Sequence, residues 1–135
     1  MQSPFAQAIG RCADAIGRAG ESRAERYLRR DKRFSIVVRN WRNPRDRRYE
    51  LDLVCRDRDV LVFVEVKTRS ASALVPGCFS VDWRKRRVLR KVIRAYLSLL
   101  RVKPRTFRFD IVEVETGGPV RHYENVELFS KYYRP

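Results

Sequence analysis

VLVFVEVKTR, Val60 to Arg69, is the stretch on which the reading of the fold turns. As a strand it alternates, with Val60, Val62, Val64 and Val66 pointing one way and Leu61, Phe63, Glu65 and Lys67 the other. A run this apolar belongs at the centre of a sheet, yet it carries two charges on one face. Burying a carboxylate or an ammonium is costly unless it is paired or holds a metal, so the pair marks a site at the sheet's edge.

The run before it, YELDLVC from Tyr49 to Cys55, has the same alternation. It predicts Tyr49, Leu51, Leu53 and Cys55 on one face, with Glu50, Asp52 and Val54 on the other. RDRD, Arg56 to Asp59, is a polar bridge short enough to close a hairpin. Antiparallel pairing with coincident polar faces brings Asp52 and Glu65 together beside Lys67. That set offers oxygen ligands to a hard divalent cation and places one ammonium next to them.

Further out, FSIVVRN (Phe34 to Asn40) reads as a strand, and WRNPRDRR after it as a loop marked by Pro44 and a charge run. Trp41 among Arg39, Arg42, Arg45, Arg47 and Arg48 is either a base-stacking ring with phosphate-binding arginines or part of an ordinary solvated loop. Ser70 to Val81 lacks periodicity and reads as a loop beside the site. WRKRRVLRKVIRAYLSLLR, from Trp83, places Val88, Val92, Tyr96 and Leu99 in one row and Leu89, Ile93, Leu97 and Leu100 in the next. This predicts an amphipathic helix capped by Asp82. Arg84, Arg87, Lys91 and Arg94 line its outer side, with Lys85 and Arg86 in its first turn; these and Arg69 are further candidates for phosphate contacts.

Lys103-Pro104 stops that helix, and TFRFDIVEVE (Thr106 to Glu115) alternates again, with Phe107, Phe109 and Ile111 on one face. Asp110 reads as structural. A Gly117-Gly118-Pro119 turn leads to a last strand near Val120 to Tyr123, and the aromatic, basic tail covers a sheet edge or meets a partner. At the other terminus, Met1 to Arg18 is a short amphipathic helix or a frayed extension. Ala19 to Arg30 reads as a helix with Ala24, Tyr27 and Leu28 inward. Glu21, in its first turn, either complements the helix dipole or points into the cleft next to Asp52. The expected division is an extension over residues 1–16, one domain over 17–123 and a tail over 124–135.

Composition bounds the partners. The 135 residues carry a net charge of +15, which favours a polyanion, nucleic acid ahead of an acidic membrane surface. No apolar stretch reaches transmembrane length, and the expected location is the cytoplasm. Cys12, Cys55 and Cys78 are too scattered for a zinc ribbon or a disulfide framework, and the lone His122 reads as a polar strand residue. The basic residues are 25 arginines and six lysines, so Lys67 stands out where arginine is the habit. Lysine is a compact charge whose pKa can move when it is buried.

The order of Glu21 on a helix, Asp52 on a strand, Glu65-x-Lys67 on the next strand and then a basic helix resembles the restriction-endonuclease-like superfamily with its PD-(D/E)xK site. More closely, GESRAERYL, VVRNW, YELDLV and VFVEVKTR look like the small bacterial YraN-like family, from about Gly17 to Glu115. The resemblance implies an α/β fold with a central mixed sheet flanked by helices, similar to archaeal Holliday-junction resolvases. It implies that Asp52 and Glu65 hold Mg²⁺ or Mn²⁺, with the Val66 carbonyl as a third ligand. Glu21 would assist through a bound water, and Lys67 would orient or activate the attacking one. Lys85 falls where related nucleases place a polar residue near the scissile phosphate, and Glu50 matches an acidic position without a settled role. Tyr49 and Arg33 stand where the family usually has glycine.

The expected activity is metal-assisted hydrolysis of phosphodiesters in DNA, branched DNA first, by a chain that can act as a homodimer. The alternatives are a non-catalytic DNA- or RNA-binding module on the same fold, or an interaction protein in which Glu65 and Lys67 are an inert ion pair.

Overall fold

The computed structural model describes residues 4–71 and 83–129, with side chains from residue 15 onward. The chain forms helix α1 (Pro4–Arg30), strands β1 (Ser35–Asn43), β2 (Asp46–Asp57) and β3 (Val60–Arg69), helix α2 (Trp83–Leu99), and strands β4 (Thr106–Glu115) and β5 (Val120–Tyr123). The expected loop after Ser70, the cap at Asp82, Cys12, Cys78 and the end of the tail lie outside the described residues or side chains.

The five strands lie in the order β1-β2-β3-β4-β5, so β3 is central. β3 pairs antiparallel with β2 through a two-residue turn at Arg58 and Asp59, and parallel with β4 from Val60–Thr106 to Arg69–Glu115. Parallel neighbours need a long crossover, and α2 lies within it. This is the mixed α/β architecture that the alternating runs imply.

The two faces of β3 behave as its alternation predicts. Leu61 and Phe63 join Leu89, Val92, Ile93 and Tyr96 of α2 in one core. Val62 and Val64 join Ala24, Leu28 and Phe34 in the other, beneath α1. Completely burying one such side chain is worth about 1.5–3 kcal/mol, so the central strand anchors both layers. Leu128 also belongs to the α2-side core, held by Arg86 and Arg90 donating to the Glu127 and Leu128 carbonyls.

Three expectations need correction. α1 is one helix of 27 residues, unbroken through Gly10 and Gly17, so Glu21 sits deep within it. The dipole reading of Glu21 fails, because the field of a helix end falls off within a turn. WRNPRDRR is a hairpin, with β1 running to Asn43 and β2 starting at Asp46 around Pro44 and Arg45.

The third correction concerns β2. Leu51 and Val54 share the α2-side core although they lie three residues apart, and so do Val38 and Trp41 on β1. Strict alternation would put each pair on opposite faces. The reversal falls at Asn40 and Asp52, between the paired Arg39–Leu53 and Trp41–Leu51. Asn40 takes φ 48°, a left-handed conformation that asparagine tolerates. Tyr49 and Leu51 therefore face α2, away from Leu53 and Cys55.

Candidate active site

The kink determines where Asp52 goes. The β2–β3 ladder runs from Asp57–Val60 to Leu53–Val64 and stops there. Beyond it, the Asp52 carboxylate accepts the Val66 N–H at 2.8 Å, replacing a ladder bond with a side-chain one. Asp52 is thus clamped to the strand that carries Glu65 and Lys67.

Glu65 is only 5% exposed and lies on the α2 side. Lys67 approaches it at 3.3 Å, and Lys85 from the first turn of α2 at 3.1 Å, both on Oε1. A buried carboxylate needs such partners, and these two ammonium groups converge on it from different elements. Glu113, on β4 in register with Lys67, is a further buried carboxylate, paired with Arg121 at 3.4 Å. The sequence reading missed it, although a charge following Phe107, Phe109 and Ile111 on one strand face is the signal that singled out Glu65.

On the α1 side, Asp52 and Glu21 line one cavity of about 210 Å³ with Arg18, Asn40 and Arg39. The Asn40 amide hydrogen-bonds Glu21, another contact that periodicity could not reveal. Burial, then the nearby Glu50, raises the Glu21 proton affinity above the ordinary carboxylate range. Asp52 is pushed further, to about 7, first by burial and then by Glu65, against the Val66 hydrogen bond. Asp52 and Glu65 lie within Coulombic reach of each other, and like charges so placed favour either a shared proton or a cation.

What holds α1 against this edge is Gly20. A Cβ there would lie 2.0 Å from Thr68 Oγ1, so only glycine allows the helix to touch β3 at this point. Arg23 locks the same helix to the β4–β5 turn by donating to the Glu115 and Gly118 carbonyls at 2.8 and 2.5 Å.

The donor set suits a small hard cation. Among the described residues no three His, Cys, Asp or Glu side chains gather as a metal cage. Mg²⁺ does not need one, since it is commonly held by one or two carboxylates plus water and substrate phosphate. Asp52 and Glu65 fit that pattern.

The proposed phosphate-binding residues separate into groups. Trp41 is half-buried, its ring packed against the core and edge-on to Tyr96 at 5.2 Å. Arg42 pairs with Glu50 at 2.9 Å and Arg48 with Asp46 at 2.8 Å, exposed pairs of small energy that a phosphate can displace. Arg45, Arg47, Arg84, Arg87 and Lys91 are exposed, Arg84 resting over the Trp83 ring at 5.3 Å. Arg69 ends β3, half-buried.

Asp110 and His122 form a separate, structural cluster. Asp110 is fully buried and binds Arg108, His122 Nε2 at 2.8 Å and the Asn125 N–H. Burial alone would raise its pKa, but those hydrogen bonds outweigh burial and hold it below the usual range. Cys55 is buried, which pushes its thiol up to about 12 and leaves it inert.

Residues 20–114 match the family described as "Uncharacterised protein family UPF0102". The chain is 42% identical to a UPF0102 protein of Frankia alni over 113 residues, covering 82% of this chain and 91% of the relative. It is 37% identical to one from Nitratidesulfovibrio vulgaris over 112 residues, covering 83% and 81%. It is 44% identical to one from Solibacter usitatus over 98 residues, covering 73% of each. The stretch from Gly20 through β4 holds all the clustered carboxylates and lysines, and on these matches the chain belongs to the UPF0102 family, the YraN-like family that its motifs resemble.

Proposed function

We propose that this chain is a Mg²⁺- or Mn²⁺-dependent endonuclease that hydrolyses phosphodiester bonds in DNA. The observation that carries the reading is Asp52 bound to the Val66 N–H within Coulombic reach of Glu65, with Lys67 and Lys85 both on Glu65. Asp52, Glu65 and the Val66 carbonyl would hold the cation. The chemistry such a cation supplies is Lewis-acid polarisation of a phosphoryl oxygen.

The chain's own residues do the rest. Lys67 directs its ammonium toward the attacking water or the charge that develops on the phosphate. Lys85, half-exposed, can exchange Glu65 for a phosphate oxygen as the substrate arrives. Glu21, positioned by Asn40 and raised in proton affinity, accepts a proton from water. The exposed arginines of the hairpin and α2 supply sequence-independent attraction to the backbone. A two-fold pair of copies would present two such sites to a symmetric junction. No helix among the described residues is long and apolar enough to cross a membrane.

The test is cleavage of labelled four-way junction, flap, duplex and single-stranded DNA in Mg²⁺ or Mn²⁺, with Glu65→Ala and Lys67→Ala alongside. Cutting that requires metal and vanishes in both folded variants supports the nuclease. A binding module is the second reading, favoured by the way two lysines already neutralise Glu65. It is supported instead if binding persists in EDTA, no substrate is cut and neither variant changes affinity.

A further inference from the structure

At the end of the sheet remote from Glu65 and Lys67, a groove of about 420 Å³ opens between the start of β3 and the end of α2. Leu61 and Tyr96 form its floor, and Val37 and Val102 are walls with 47% and 83% of their surfaces exposed. Val37 stands at a register shift in β1 between Ile36 and Val38, the kind of irregularity that turns a side chain away from its expected face. Exposed apolar surface gathered in a concavity, rather than scattered, marks a binding site.

The rim selects the occupant. Arg56, Lys103 and Arg105 line it against one carboxylate, Asp59. Lys103 is engaged in capping α2, donating to the Leu97 and Leu100 carbonyls. Arg56 and Arg105 form no ion pair among the described residues, and Arg56 lies within Coulombic reach of the Tyr96 hydroxyl. A guanidinium and a phenol above an apolar floor match a carboxylate attached to a large apolar side chain.

We propose that this groove docks the free C-terminus of an acidic partner protein, seating a terminal aromatic or aliphatic side chain between Val37 and Val102, over the buried Leu61 and Tyr96, and its carboxylate at Arg56. A second copy is disfavoured at this groove, because a two-fold contact here would set its basic rim, Arg56 and Arg105, against the same residues of the other copy. A nucleic acid would satisfy the rim but leave the apolar floor unused. The inference is independent of the nuclease reading, since it uses none of those residues.

The probe is a fluorescein-labelled hexapeptide of three acidic residues, a glycine, a leucine and a C-terminal phenylalanine, titrated by anisotropy at physiological salt. Its C-terminal amide and a scrambled peptide of equal charge separate docking from simple counter-ion attraction. Saturable binding should weaken about fivefold or more on amidation, and about tenfold with Val102→Asp or Arg56→Glu, both at exposed positions. Tyr96→Phe, which preserves packing, should cost about threefold through the lost hydroxyl. Glu65→Gln should leave binding unchanged. Equal affinity for the scrambled peptide, or indifference to Val102→Asp and Arg56→Glu, overturns the proposal. So does a self-association in sedimentation that Val102→Asp abolishes, since the groove would then belong to a second copy.

Discussion

Burial and the nearby Glu65 raise the proton affinity of Asp52, and its behaviour can be followed with pH. Its folded pKa, raised to about 7, lies above that of the unfolded chain, so the folded state binds the proton more tightly. The stability associated with that proton is complete below the unfolded value near 4 and is lost as pH rises through about 7. In urea denaturation of the metal-free protein, we expect stability to fall from pH 5 to pH 8 by about 2–4 kcal/mol from this group. Asp52→Asn should flatten that slope; a slope that survives would place the titrating group elsewhere. Mg²⁺ should raise the melting temperature at pH 8 much more than at pH 5, because only the ionised pair needs it. Arg33 makes a different residue-scale case. It takes φ 60° just after α1, where the Asp31 N–H and Phe34 N–H bond back to the Tyr27 and Leu28 carbonyls. Glycine has no Cβ to strain in this left-handed region, so Arg33→Gly should stabilise the fold by about 0.5–1 kcal/mol in thermal melts.

Among the elements, the contact between α1 and β3 decides whether Glu21 reaches the site. Gly20→Ala would gain about 1 kcal/mol of helix propensity, yet its Cβ must displace Thr68, at a steric cost of about 1–3 kcal/mol. We expect net destabilisation in denaturant melts, largely reversed by adding Thr68→Ala; additive effects would mean that the two residues do not touch. This contact could not be read from the chain, since Gly20 in a helical pattern looks like a propensity defect. β3 could be read in full, because both its faces are buried up to the charges and its alternation is uninterrupted. β2 was legible only from Leu53 to Cys55, because the reversal at Asn40 and Asp52 depends on two strands kinking together. The same kink explains why Asp52 was assigned to the site although its neighbours were placed on the wrong face. Pro44 and a charge run suggested a loop where there is a hairpin, because Pro44 sits in the two-residue turn and breaks neither strand.

For the molecule as a whole, the question is which basic face a polyanion uses. α2 reaches Glu65 through Lys85 and the hairpin leads into the strand that carries Asp52, whereas Arg26, Arg29 and Arg30 line the outer side of α1. Both faces are positive, so net charge cannot choose between them. Counter-ion release can, because log affinity falls with log salt by about 0.9 for each phosphate neutralised on duplex DNA. Binding should be measured in EDTA across a salt series, so that chemistry does not intervene. We expect the Arg45→Ala, Arg47→Ala double variant to reduce the slope by about 2, and Arg26→Ala with Arg30→Ala to leave it unchanged. Trp41→Leu should lower stability and leave the slope alone, because its ring is committed to Tyr96 and the core. If the α1 pair sets the slope instead, DNA lies across the outer side of that helix. The scissile phosphate would then not reach Glu65 and Lys67, and the basic surface and the carboxylate site would serve different ends.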